Sequence, residues 1–188
     1  MARVFIFHGT GGHPGENWFP WLQDKLKEKG VETIIPQFPT PEGQSLEAWL
    51  EVLKEYETQI DANTILIGHS LGCIFLLRLL ERRNEPIKAA IFVAAPIGVK
   101  PIKNWDGDSA FSGGFQFDWD RIRANAGRFI AYHSDDDPYV GLGNGQELAR
   151  QLGVELTFIP NSGHFNASAG YTKFDKLFEN VEAILNQD

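Results

Sequence analysis

A serine lies between two glycines directly after an aliphatic run, in the stretch ILIGHSLGC at residues 65–73. Where a strand enters a tight turn and then a helix, the turn residue is strained and its neighbours two positions away come close together. Gly68 and Gly72 remove the side chains that would collide there. We therefore predict that Ser70 stands at the apex of the turn, where helix N–H groups favour a developing anion. The alternative is a Gly-rich turn with a capping serine.

A serine hydroxyl is a weak nucleophile at neutral pH and needs a base, which an acidic group orients. Of the five histidines, His164 in IPNSGHF is the best candidate, because it follows the last predicted strand at the same sheet edge as Ser70. We expect His69 to point away from the serine hydroxyl, while His13 lies in a loop and His133 ends a strand. The alternative for His164 is an exposed loop histidine.

Three consecutive acidic residues in YHSDDDPYV follow the fifth predicted strand, again at the carboxyl edge of the sheet. One of them is expected to orient His164. Asp137 is preferred because Pro138 fixes the local backbone and Asp-Pro favours a turn, and Asp136 is the second choice. A solvated turn or a weak cation site is the alternative, but further oxygen ligands at regular spacing are missing from the sequence.

The Gly-rich stretch FHGTGG follows the first predicted strand and is suited to an oxyanion hole. One donor is expected to be the N–H of Leu71, directly after the serine, and the other the N–H of Thr10, with Gly11 as second choice. Each such donor typically contributes ~2.7 to 4 kcal/mol in the transition state. His8, Gly9 and Gly11 are further candidates for substrate contact. A plain turn is the alternative, as is a phosphate-binding loop, although the P-loop lysine is missing.

Short apolar runs alternate with longer amphipathic segments, which predicts strand–helix units around a parallel sheet. The fold class is therefore α/β, a three-layer sandwich with a mostly parallel six-stranded sheet in a single domain over residues 1–188. Several strands are continuously apolar, as expected when helices cover both faces. The predicted strands are residues 4–7, 33–35, 63–67, 89–94, 128–133 and 155–159.

Helical patterns lie between these strands. Ser45 is a plausible cap for a helix with one apolar stripe. The first helix is predicted to begin near Trp18 and to end at Gly30. The helix after Ser70 is apolar almost all round and is expected to be buried.

The exception is residues 96–117, a Gly-rich connection without a clear period, of the kind that often forms a binding loop. Trp105, Phe111 and Phe115 in this connection are candidates for the substrate pocket, and ordinary core aromatics are the slightly favoured alternative. Trp18 is a further pocket candidate, for which helix packing is the more frequent role.

The formal net charge of −8 and a sequence pI near 5.1 argue against nucleic-acid binding and favour a small-molecule partner. The single cysteine, Cys73, suits a reducing compartment. No apolar run is long enough for a signal peptide or a membrane span. We expect a cytoplasmic monomer without metal or organic cofactor.

These motifs together resemble a known family. GHSLG at 68–72, DDPYV at 136–140, SGHF at 162–165, the early HGTGG and NWFPWL at 17–22 are similar to those of the small serine hydrolases related to retinoblastoma-binding protein 9. The resemblance spans nearly the whole chain. It implies a minimal α/β-hydrolase fold without the two leading antiparallel strands, and a triad of Ser70, Asp137 and His164. The family position before proline favours Asp137 over Asp136.

The expected function is hydrolysis of small esters or related acyl compounds through an acyl-enzyme intermediate. The order Ser70, Asp137, His164 along the chain is that of α/β-hydrolases. A serine peptidase or amidase with the same triad is one alternative. A binding protein that keeps the fold without turnover is the other, against which the complete set of catalytic residue types speaks.

Overall fold

The chain forms one six-stranded sheet with the order β2-β1-β3-β4-β5-β6. The structure, a computed structural model, describes residues 2–187. Every pairing within this sheet is parallel, and the predicted strands are confirmed with small shifts at their ends. The strands are β1 (Arg3–Phe7), β2 (Glu32–Ile34), β3 (Thr64–His69), β4 (Ala89–Val93), β5 (Phe129–His133) and β6 (Leu156–Phe158).

Helices connect the strands, with bounds α1 (Phe19–Glu28), α2 (Leu46–Leu53), α3 (Leu71–Arg82), α4 (Trp105–Ser112), α5 (Trp119–Ala124), α6 (Gly143–Leu152) and α7 (Asp175–Leu185). Two 3₁₀ segments cover Lys54–Gln59 and Ala167–Ala169. The predicted cap of α2 is confirmed, since Ser45 Oγ accepts from the N–H of Ala48 at 3.1 Å. Within residues 2–187, no helix is both long and apolar enough to cross a membrane.

The sheet is covered on both faces, so the predicted three-layer architecture is confirmed. Successive side chains of a strand point to opposite faces. In β1, Phe5 and Phe7 pack in a core with Trp49 of α2 and the apolar side of α3. Val4 and Ile6 pack on the opposite face, in a second core with residues of α1 and α7. Helix α3 is buried along most of its length, as its composition predicts.

The expectation of an irregular connection over residues 96–117 is wrong, because this segment contains α4. The helix is short, has Gly107 inside it, and ends at Gly113, whose φ of 63° is left-handed. It therefore lacks the apolar period by which helices are recognised in a sequence. A tertiary contact supports it, since the Arg78 guanidinium of α3 donates to the carbonyl of Ser112.

We predict that Gly72→Ala destabilises the fold strongly. A Cβ at position 72 would lie 2.1 Å from the carbonyl oxygen of Phe7. This residue ends β1, whose main chain is held between β2 and β3 and therefore cannot easily move. The free energy of unfolding in urea is expected to fall by about 3 kcal/mol. Gly15→Ala is the control, because a Cβ there meets its nearest atom, His13 Nδ1, at an ordinary 3.4 Å. Equal stability of the two variants would contradict this packing.

Candidate active site

Ser70 occupies the junction between β3 and α3 in a strained conformation, with φ 55° and ψ −123°. The close approach predicted from its flanking glycines is present. A Cβ at Gly68 would lie 2.7 Å from the backbone of Cys73, and one at Gly9 would lie 2.8 Å from Ser70 Cβ. The turn therefore leaves the hydroxyl partly exposed at the carboxyl edge of the sheet.

His164 and Asp137 form a hydrogen-bonded pair beside this edge. The Nδ1–H of His164 donates to Asp137 Oδ2 at 2.7 Å, and the Asp137 side chain is fully buried. Its other oxygen, Oδ1, accepts the N–H groups of Tyr139 at 2.8 Å and Val140 at 3.0 Å. The carboxylate thus fixes the imidazole in the tautomer with Nε2 available as an acceptor. No described residue hydrogen-bonds to that Nε2.

The two other aspartates of this loop hold the histidine loop by its backbone. Asp135 Oδ1 accepts from the N–H of Asn161 at 2.9 Å. Asp136 Oδ1 accepts from the N–H of Gly163 at 2.7 Å. Asp136 therefore binds main chain next to His164, whereas Asp137 binds the ring. The acidic residues thus join the aspartate loop to the loop that carries His164. Within residues 2–187, no group of three or more His, Cys, Asp or Glu side chains is placed to hold a metal ion.

Ser70 and His164 line the same cleft, which has a volume of about 520 Å³. Gly9 and Thr10 form part of its wall. Its remaining lining residues are Glu16, Asn17, His69, Lys103, Asn104, Asp108, Tyr139, Val140 and Asn166. The cleft therefore places a hydroxyl and an imidazole, the latter paired with a carboxylate, around one space.

The backbone N–H groups of Thr10 and Leu71 are among those near Ser70 that have no acceptor in the described part of the chain. Leu71 begins α3, where the first N–H groups have no partner within the helix. The second-choice donor, Gly11, is occupied because its N–H donates to Thr40 Oγ1 at 2.7 Å. The arrangement can thus offer two hydrogen bonds to a developing oxyanion.

Known proteins are similar to this chain over nearly its whole length. The sequence profile of a family described as serine hydrolase matches residues 4–183. The chain belongs to the serine hydrolase family. The rat serine hydrolase RBBP9 is 30% identical over 187 residues, covering 98% of this chain and 96% of the rat protein. The expected resemblance to its relatives is therefore confirmed.

A second relative of this serine hydrolase is the YdeN protein of Bacillus subtilis, which is 28% identical over 186 residues, 99% of this chain and 97% of YdeN. The crystal structure of the ydeN gene product superposes with a TM-score of 0.92 at 29% identity, covering 100% of both chains. Est1E of Butyrivibrio proteoclasticus, with ferulic acid bound, has a TM-score of 0.68 at 20% identity over 98% of this chain and 87% of Est1E. That last likeness shows the fold alone.

Of the residues proposed around the Gly-rich loop of this serine hydrolase, some line the cleft and others do not. Gly9 and Thr10 lie on the cleft, whereas Gly11 and His8 are not among its lining residues. His8 is buried, and its Nε2 accepts from the N–H of Phe38 at 3.0 Å. Burial also lowers the pKa of His8, so it is a neutral core residue that supports the loop.

The four aromatic residues proposed for the substrate pocket do not line the cleft. Trp18 is fully buried, and its indole N–H donates to the carbonyl of Phe165 at 3.0 Å. Phe111 packs in the core against Trp49. Trp105 and Phe115 pack on each other with ring centroids 5.0 Å apart. These four rings therefore pack against other parts of the protein.

His69 contacts His164, a contact that the sequence analysis did not predict. Its Nε2–H donates to the main-chain carbonyl of His164 at 2.8 Å, and the two ring centroids are 4.9 Å apart. Its Nδ1 is buried without a partner in the described structure. Burial lowers the pKa of His69 to about 3, so this ring stays neutral beside His164. Its position next to Ser70 was the only sequence signal for this contact.

Tyr139 and Lys103 form one lip of the cleft. The Tyr139 and His164 rings pack edge-on, with their centroids 5.0 Å apart. Lys103 Nζ lies over the Tyr139 ring, 4.9 Å from its centroid. Their backbones are joined, since the N–H of Lys103 donates to the carbonyl of Tyr139 at 2.8 Å. This contact ties the segment before α4 to the aspartate loop.

The buried ring of His69 predicts a loss of stability in acid. Its folded-state pKa is lowered, so below pH 6.5 the unfolded chain takes up a proton that the folded chain does not. The contribution of His69 to the free energy of unfolding is therefore fully present above pH 6.5 and is lost as the pH decreases. From this residue alone, we expect a loss of about 2 kcal/mol between pH 7 and pH 5. His69→Gln keeps an N–H donor and is expected to remove that share, as measured by urea unfolding at the two pH values.

His13→Gln is the matched control, because His13 is an exposed loop residue. It is expected to leave the pH dependence of the unfolding free energy as in the wild type. A His69→Gln protein with the full wild-type loss between pH 7 and pH 5 would show that His69 is not held neutral by burial.

Proposed function

We propose that this serine hydrolase cleaves small esters with Ser70 as nucleophile, His164 as general base and Asp137 as the group that orients the base. One observation carries the proposal: the 2.7 Å hydrogen bond to Asp137 from Nδ1 of His164, a residue that lines the same cleft as Ser70. A buried carboxylate, an imidazole and a partly exposed hydroxyl are the parts that nucleophilic catalysis by serine requires.

The first step forms a bond from Ser70 Oγ to the carbonyl carbon of the ester, while the hydroxyl proton passes to Nε2 of His164. The carbonyl oxygen becomes an oxyanion, to which the N–H groups of Thr10 and Leu71 donate. Asp137 stabilises the imidazolium that results. His69 adds no positive charge beside this ring because burial keeps it neutral.

The second step breaks the bond between the carbonyl carbon and the leaving oxygen, which takes the proton from His164 and departs as the alcohol. An acyl group then remains on Ser70 Oγ. Water repeats the sequence, with His164 accepting its proton and returning it to Ser70 as the carboxylic acid is released. All atoms are accounted for by ester, water and these side chains.

The volume of the cleft supports a small-molecule substrate. A volume of about 520 Å³ lies within the usual range for small-ligand sites. An ester is easier to hydrolyse than an amide, because an alcohol leaves a tetrahedral intermediate more readily than an amine does. The proposal therefore places esters before amides.

We predict that a fluorophosphonate probe labels the wild-type protein and that Ser70→Ala abolishes both labelling and turnover of p-nitrophenyl butyrate. Ser45→Ala is the control, since Ser45 caps α2 and is expected to leave labelling intact. Gel fluorescence and release of p-nitrophenol are the measurements. Labelling of the Ser70→Ala protein at the wild-type level would contradict the assignment of the nucleophile. Cleavage of the matched butyryl anilide as fast as the ester would contradict the preference for esters.

Asp137→Asn and Asp136→Asn are expected to differ sharply in kcat/KM for p-nitrophenyl butyrate. An amide at position 137 disturbs the tautomer of His164 and loses the stabilisation of its imidazolium, for an expected loss of about 10⁴-fold. Asp136 binds the N–H of Gly163 and not the ring, so its variant is expected to lose far less. Equal losses in the two variants would contradict the assignment of Asp137.

A further inference from the structure

Helix α4 brings a buried carboxyl group to the wall of the cleft. Asp108 is only 5% exposed and lines the cleft together with Ser70 and His164. Its Oδ1 accepts from Asn104 Nδ2 at 3.0 Å. No described residue donates to its other oxygen, Oδ2, and Asp108 lines the cleft. A carboxyl oxygen in this position can accept a hydrogen bond from a bound ligand.

Two asparagines on the cleft supply the complementary donors. Asn17 Oδ1 accepts from the N–H of Ala167 at 2.9 Å, and Asn166 Oδ1 accepts from the N–H of Ala169 at 3.1 Å. Because each oxygen is bound to a main-chain N–H, the other atom of each amide must be the NH₂ group. Neither NH₂ group hydrogen-bonds to a residue in 2–187, so both can donate to a ligand.

This mixture of donors and acceptors restricts the ligand. A hydroxyl group both donates and accepts, so it can pair with Asp108 and with an asparagine amide together. An ammonium group only donates, and it would meet the amide NH₂ groups and Lys103. A carboxylate only accepts, and it would face Asp108 and Glu16. A hydrocarbon would leave the Asp108 oxygen desolvated without a partner.

We propose that the cleft selects esters that carry a hydroxyl group near the scissile bond, with Asp108 as the specificity-determining acceptor and the amides of Asn17 and Asn166 as donors. The inference rests on the proposed ester hydrolysis. Burial raises the pKa of Asp108 to about 6, so at pH 8 the group is ionised and accepts. Sites built to bond a substrate hydroxyl discriminate against analogues that lack it, because their polar groups are then left unpaired.

The test compares matched esters at pH 8. Methyl 3-hydroxybutyrate, methyl butyrate and methyl 3-aminobutyrate examine the acyl side, and glycerol monobutyrate and propyl butyrate examine the alcohol side. The hydroxylated ester of at least one set is expected to have a kcat/KM about tenfold above its plain partner. The set that shows this preference locates the hydroxyl. A ratio of kcat/KM values does not depend on the fraction of correctly folded protein, so imperfectly folding variants still give an answer.

Asp108→Leu is expected to bring the ratio close to one, and Asp108→Ala serves if the leucine variant yields no active protein. Asp108→Asn is expected to keep most of the preference, because a hydroxyl can pair with either atom of an amide. Asp106→Leu, an exposed position of the same helix, is the control and should keep the wild-type ratio.

Three results would overturn the inference. The first is a wild-type ratio near one in both sets, and the second is a wild-type ratio retained in Asp108→Leu. The third is a preference for the aminobutyrate that Asp108→Asn abolishes, which would indicate a cation site. In each case turnover of the plain esters would leave the proposed function standing. Failure of the wild type to cleave any ester would contradict both.

Discussion

Everything at this site depends on how closely helix α3 approaches strand β1. Gly72 lies against the carbonyl of Phe7 at a distance that no side chain would permit. This contact lets α3 begin immediately after Ser70 and forces Ser70 into its left-handed turn. The same contact places the first N–H of α3 beside the loop that follows β1. A single backbone constraint therefore exposes the hydroxyl and gathers the N–H donors of Leu71 and Thr10 around it.

The remaining parts are held by hydrogen bonds between loops at the carboxyl edge of a parallel sheet. Two buried histidines contribute to this, in each case through a ring N–H and a main-chain carbonyl. His69 donates to His164, and His133 donates to Val140 at 2.9 Å, next to the N–H that binds Asp137. Burial lowers the pKa of both His69 and His133. Neutral rings can hold the loops that carry His164 and Asp137 in place without adding charge near the His164 imidazole.

Local patterns were sufficient for the strands and for the turn at Ser70, because apolar runs and glycine spacing act within a few residues. The pairing of Asp137 with His164 was harder to predict, since Asp136 has the same chemistry one position away. Asp137 was favoured by the turn at Pro138 and by the family resemblance. Helix α4 was missed because it has no apolar period and is supported by a contact from Arg78. The prediction that four aromatic residues line the substrate pocket was wrong for a related reason. Tertiary packing decides whether a side chain of a helix or loop faces the cleft or the interior.

The most direct measurement is a crystal structure of the protein after reaction with a diethyl phosphoryl ester, whose adduct mimics the tetrahedral intermediate. The account predicts phosphorus bonded to Ser70 Oγ, the phosphoryl oxygen within hydrogen-bond distance of the N–H groups of Thr10 and Leu71, and Nε2 of His164 facing the leaving-group side. An adduct on another residue, or a phosphoryl oxygen turned away from both N–H groups, would contradict it.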